Sequence, residues 1–228
     1  MKKNQFIEGG IQKIQGIMVS KNAQAWKAFR FISGAKSKDE TRFFMSGIHI
    51  EHSGDKSVLV ATDGRRLHIA TVDTVQIKPG DYQVKENTRD FMILYPMDNE
   101  IQYPNWKRII KTLETQKRIK IDLVETKNKA GFSRSLYQFF QATGAAVNIE
   151  YLEPLAGREW NVYFNEKEKA HTFVAENLMA IIMPMGGIEQ IAVDENVQDP
   201  GFRNIAPEPK VIEFKPAKTA KGKKRRTA

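Results

Sequence analysis

Cysteine is absent from the 228 residues. That removes disulfides, thiolate nucleophiles and every zinc site built on sulfur. Long apolar runs are missing too: the longest, Leu178 to Met185, covers eight residues and contains Pro184. A bilayer needs roughly 20, so no membrane span is expected. The amino terminus, MKKNQFIEGG, starts basic but has no apolar stretch behind it, and no secretory signal is read there. Catalytic signatures are equally scarce. No phosphate-binding glycine loop follows a strand, and no nucleophile-elbow pattern surrounds a serine. Asp63 and Arg65 lack a partner carboxylate at nuclease spacing. His49 and His52 are spaced poorly for one metal face, and His68 and His171 are isolated and read as structural or surface. The expectation is a cytoplasmic protein that is not an enzyme and needs no metal or cofactor.

What is present describes a globular body with a basic end. Apolar residues make up 41% of the chain and its formal charge is +9, a composition normal for a soluble domain. The charge is uneven. Residues 210–228 hold eight basic side chains against Glu213, a charge of +7 that leaves +2 on residues 1–209. Pro200, Pro207, Pro209 and Pro216 interrupt the segment before and within that stretch, so 191–228 reads as a linker and a disordered basic tail. The tail's cations, Lys223, Lys224, Arg225 and Arg226 among them, suit weak polyanion binding or simple solubility. Residues 1–190 form the body.

Two stretches of the body have helical spacing. Asn22 can cap a run in which Ala25, Trp26, Phe29 and Ile32 share a face before Gly34. Ser133 can cap a second, with Leu136, Phe139 and Phe140 on its stripe and Gly144 at the end. Strands are expected at Arg42 to Glu51, Ser57 to Thr62, Leu67 to Val72, Tyr82 to Lys85, Ile119 to Val124, Val147 to Leu152, Trp160 to Asn165, His171 to Ala175 and Met179 to Met183. A helix followed by a meander, twice over, gives α+β with antiparallel sheets, the halves covering about 1–110 and 111–190. Helices resting on one sheet face would bury Trp26, Phe29, Phe139 and Phe140.

Four motifs then occur in order. Val58 to Leu67 contains Ala61-Thr62-Asp63-Gly64-Arg65-Arg66-Leu67, which resembles the ATDGHRL segment of the bacterial DNA polymerase III beta subunit, the sliding clamp. Arg42 to Glu51 resembles the strand leading into it. Tyr103-Pro104-Asn105-Trp106-Lys107-Arg108-Ile109-Ile110 is similar to that family's aromatic-Pro-Asp-Tyr-Arg-Arg stretch, and Ala180-Ile181-Ile182-Met183-Pro184-Met185 to its closing strand, which ends in Met-Pro-Met. The family's histidine is Arg65 here, Gly186-Gly187 stand where it has Arg-Leu, and 41 residues follow. Family chains hold three copies of the domain. This chain has room for about one, so an encircling ring would need several subunits.

The resemblance implies a DNA-clamp-like fold and two functional surfaces. Lys21, Lys27, Arg30, Arg134 and Gln138, on or beside the helices, would meet duplex DNA without reading its sequence. Taken without the family, they are an ordinary solvated helix face. Thr62, Gly64, Arg65, Arg66 and Leu67 would form one wall of a pocket for peptides of a polymerase and a clamp loader, and Met183, Pro184 and Met185 the other. Methionines adapt to varied apolar anchors, and Arg66 could hold a peptide carbonyl. The plainer reading is a turn between strands and a core strand ending in methionines. The expected function is a homo-oligomeric processivity factor in DNA replication, acting at the nucleoid. The alternative is an adaptor with the same fold that forms no ring and uses its pocket and basic tail.

Overall fold

The run from Val58 to Thr62 does not alternate apolar with polar side chains, because both faces of its strand are covered. In the computed structural model, which describes residues 16–97, 102–165 and 170–185, ten strands form one antiparallel sheet. They are β1 (Ile17–Ser20), β2 (Gly47–Ser53), β3 (Lys56–Thr62), β4 (Arg66–Asp73), β5 (Gly80–Asn87), β6 (Phe91–Pro96), β7 (Lys117–Leu123), β8 (Arg158–Phe164), β9 (His171–Ala175) and β10 (Leu178–Ile182). Their order across the sheet is β1-β6-β5-β2-β3-β4-β10-β9-β8-β7. The first six come from one half of the body and the last four from the other. The halves meet where β4 pairs with β10, from Ala70 opposite Leu178 to Arg66 opposite Ile182. Main-chain hydrogen bonds, not a loop, fuse them.

Two helices cover one face. α1 (Trp26–Ser33) and α2 (Lys129–Thr143) send Phe29, Ile32, Phe132 and Phe139 into a single core with Ile48, Ile50, Leu59, Ala61, Leu123, Val162 and Phe173. Each of the larger side chains among them contributes roughly 1.5–3 kcal/mol by leaving water. Phe31 reaches across the junction. Its ring lies 4.4 Å from that of His68 on β4 and 5.9 Å from that of Trp160 on β8. Behind the sheet, Val60, Leu67, Ile69 and Ile181 form a smaller cluster under Trp106. Arranged this way, α+β with antiparallel strands and helices on one face is the observed architecture.

The boundaries depart from expectation in four places. α1 begins at Trp26, with Ala25 and not Asn22 at its N-cap. α2 begins four residues before Ser133: the Asn128 side chain accepts the Gly131 N–H at 3.0 Å, while Gly144 closes the helix at φ 65° and donates its N–H to the Phe140 carbonyl. Residues 40–45 form a 3-10 turn instead of the first half of a strand, and Val147 to Leu152 is no strand, since Asn148 caps the short helix α3 (Ile149–Leu152). β1 and β6 were not anticipated. Trp26 and Phe140 are only half-buried, whereas Phe29 and Phe139 are in the core. The linker and basic tail, residues 191–228, lie outside the described residues.

Candidate nucleic-acid face and partner pocket

The turn between β3 and β4 is built by its own polar groups. Asp63 Oδ1 accepts the N–H of Arg65 at 2.9 Å and of Arg66 at 3.0 Å, an Asx-type turn. Thr62 Oγ1 accepts the Gly64 N–H at 3.0 Å and donates to the Arg66 carbonyl at 2.7 Å. Gly64 sits at φ +87°, where a side chain would be strained. The second motif arrives alongside: the Met183 N–H donates to the Arg65 carbonyl at 2.9 Å, extending the β4–β10 ladder by one rung. Two stretches separated by more than a hundred residues thus become neighbours.

Their side chains divide. Met183 and Met185 are 42% and 50% exposed, and Arg65 is exposed. Pro184 is half-buried. Leu67, expected to line the pocket, is 2% exposed and belongs to the cluster under Trp106. Arg66 is buried with its guanidinium engaged: Nε donates to Asp63 Oδ2 at 3.1 Å, Nη1 to the Glu150 carbonyl at 2.8 Å, and its plane lies 4.5 Å from the Tyr151 ring centroid. Arg66 ties the turn to α3. The accessible apolar surface here comes from the methionines; elsewhere, the turn that Trp106 anchors carries Ile109 and Ile110, 43% and 38% exposed. Both isoleucines close the Tyr103–Ile110 motif in the sequence, though neither was assigned to a functional surface there. Their place after the Tyr-Pro-Asn-Trp stretch was the available signal.

Trp106 is held by more than packing. Its Nε1 donates to Glu51 Oε1 at 3.2 Å, Lys107 Nζ donates to Glu51 Oε2 at 2.6 Å, and Tyr103 stacks on His49 at 4.8 Å. His49 lies between Asp81, 2.6 Å away, and Glu51, 3.1 Å away. Burial pulls its pKa down, but the Asp81 bond and charge, then Glu51, outweigh burial and leave it raised.

On the helical face, Lys27, Arg134 and Gln138 are exposed. Lys21 is exposed and pairs with Asp90, and Arg30 bonds to Asn87 and to the Thr88 carbonyl while lying 5.7 Å from the Trp26 ring centroid. Both cations therefore stay near the β5–β6 turn, and Lys21 is partly neutralised. The sequence holds a further sign of this face that residue-by-residue reading missed. Residues 21–38 and 127–148, which contain both helices, have eight Lys and Arg and no Asp or Glu. Such separation of charge favours a polyanion over the helices.

No protein-family model matches the sequence, and no curated protein is similar enough in sequence to count as a relative. Solved structures are informative about the backbone. A DNA polymerase III subunit beta from Borrelia burgdorferi, in complex with a natural product, superposes with a TM-score of 0.53 at 12% identity, covering 79% of this chain and 67% of that one. It has the sliding-clamp fold. The same holds against the DNA polymerase sliding clamp of Pseudomonas aeruginosa (TM-score 0.51, 12% identity, 78% of this chain and 68% of that one). The DNA polymerase III beta chain of Streptococcus pneumoniae gives 0.51 at 17% identity, over 81% and 69%. At such identities the clamp fold carries no residue roles with it, and those must be argued from this chain's own chemistry.

Proposed function

We propose that the chain is a sliding-clamp-like processivity factor of DNA replication. It holds duplex DNA against α1 and α2 without sequence specificity and binds peptides of a polymerase and a clamp loader beside Met183, Pro184 and Met185. One observation carries the reading: on a clamp fold, both helices of the same sheet face lie in segments that have cations and no carboxylates. Phosphate contacts made by scattered Lys and Arg are weak and salt-sensitive, which suits movement along DNA. Lys27 and Arg134 supply cations that have no carboxylate partner among the described residues, and Gln138 an uncharged donor. β1 and β7 end the sheet with open edges among the described residues. Copies of the chain joined through such edges would form the homo-oligomeric ring that encirclement demands.

The test pairs topology with charge. Protein loaded on nicked circular DNA is expected to stay through gel filtration at moderate salt and to escape once the circle is cut. Lys27→Glu with Arg134→Glu is expected to weaken duplex binding by roughly tenfold at low salt, equally for unrelated sequences. Equal, salt-sensitive retention on circles and linear fragments would favour the adaptor without a ring. Unchanged affinity in the folded double variant would remove the helical face from DNA binding.

A further inference from the structure

A cavity of about 300 Å³ lies between the residues following α1, the Thr62–Leu67 turn and α3. Nothing above uses it. Three carboxylates line it, and each already has a cation: Asp63 holds Arg66 at 3.1 Å, Asp39 faces Arg42 at 3.7 Å, and Glu150 faces Lys38 at 3.7 Å. Lys36 and Arg65 also line it, and neither meets a carboxylate among the described residues. The cavity therefore carries two surplus positive charges. Arg65, which lines it, also touches the methionine strand: its carbonyl accepts the Met183 N–H at 2.9 Å.

We propose that this cavity is an anion subsite of the partner pocket, in which Lys36 and Arg65 receive an aspartate or glutamate side chain of the docking peptide. The subsite rests on the partner-pocket reading above. A single carboxylate matches a surplus of two cations and can be gripped in bidentate fashion by a guanidinium. A duplex presents a continuous row of phosphates, more anionic charge than two spare cations in a cavity of about 300 Å³ can meet. The replacement of the family's histidine by Arg65 gains a role on this account. A guanidinium offers a planar fork that an imidazole lacks, so an acidic group would be preferred.

Random hexapeptides displayed on phage and panned against the full chain separate the two claims. Selected sequences are expected to share apolar anchors and to be enriched in Asp or Glu. One selected peptide and its Asp→Asn or Glu→Gln counterpart are then compared by fluorescence anisotropy on the wild type and on Lys36→Gln/Arg65→Gln. The acidic form is expected to bind the wild type roughly tenfold more tightly, and the double variant, which keeps the basic tail, is expected to lose that preference. Apolar enrichment without acidic preference would overturn the subsite and leave the pocket standing. No shared anchor at all would overturn the pocket, and the subsite with it. A double variant that keeps the acidic preference but loses duplex affinity would make the cavity a phosphate site and overturn the proposal.

Discussion

At the residue scale, two histidines titrate in opposite senses. His68 is fully buried, and burial lowers its pKa to about 4 despite the bond its Nδ1 makes to the Phe31 carbonyl at 2.8 Å. The unfolded chain takes up that proton near pH 6.5 and the folded chain does not, so stability is complete above 6.5 and falls as the pH drops toward 4. The shift corresponds to roughly 3 kcal/mol. Urea midpoints should decline over that range, and an NMR titration should find one imidazole neutral down to about pH 4; a His68 midpoint near 6.5 would contradict the packing described. His49 works the other way. Its raised pKa stabilises the fold below pH 6.5, and this contribution fades as pH climbs through the folded value. Neither behaviour is legible in the sequence, where both residues simply alternate along strands.

At the scale of the element, caps decide where helices begin. Asn128→Ala removes the side-chain acceptor for the Gly131 N–H and is expected to cost about 1 kcal/mol. Ser133, which the apolar stripe selects as a cap, is exposed inside α2, and Ser133→Ala should stay within about 0.5 kcal/mol. Chemical denaturation of the two variants compares them directly. The apolar pattern located the helix, but Lys129 to Phe132 continue it toward the N-terminus because Asn128 and the buried Ser135 fix its first turns. Ser135 Oγ donates to the Asp122 carbonyl at 2.7 Å, fastening the helix to the end of β7. A similar local choice reverses Val147 to Leu152. Its apolar residues suit a strand, yet the Asn148 side chain accepts the Glu150 N–H at 3.0 Å and starts a helix.

At the scale of the whole molecule, the pairing of β4 with β10 matters most, since it brings the two motifs of the proposed pocket into register and lets one sheet carry both helices. Charge is divided on the same scale. The body is nearly neutral and the terminal 19 residues carry +7. Deleting residues 210–228 is therefore expected to lower duplex affinity most at low salt and to flatten its salt dependence. Superimposable salt curves for the full and shortened chains would assign the tail a different task. Charge reversal on the helices should act separately, weakening the binding that remains.

The sequence by itself determined the class of fold. β-branched runs marked most strands, the phenylalanine stripes located both helices, and the acid-free stretches around them were written into the chain. It also determined the local turn at Asp63 and Gly64, whose bonds span only a few residues. Tertiary structure alone decided which motif side chains remain available. Leu67 is lost to the core because the Trp106 turn covers the back of the sheet, Arg66 is consumed by Asp63, Glu150 and Tyr151, and Lys36 and Arg65 are left over because the nearby carboxylates already have partners. Backbone preference is set by neighbours in sequence. Exposure and charge balance are set by whatever the fold packs alongside.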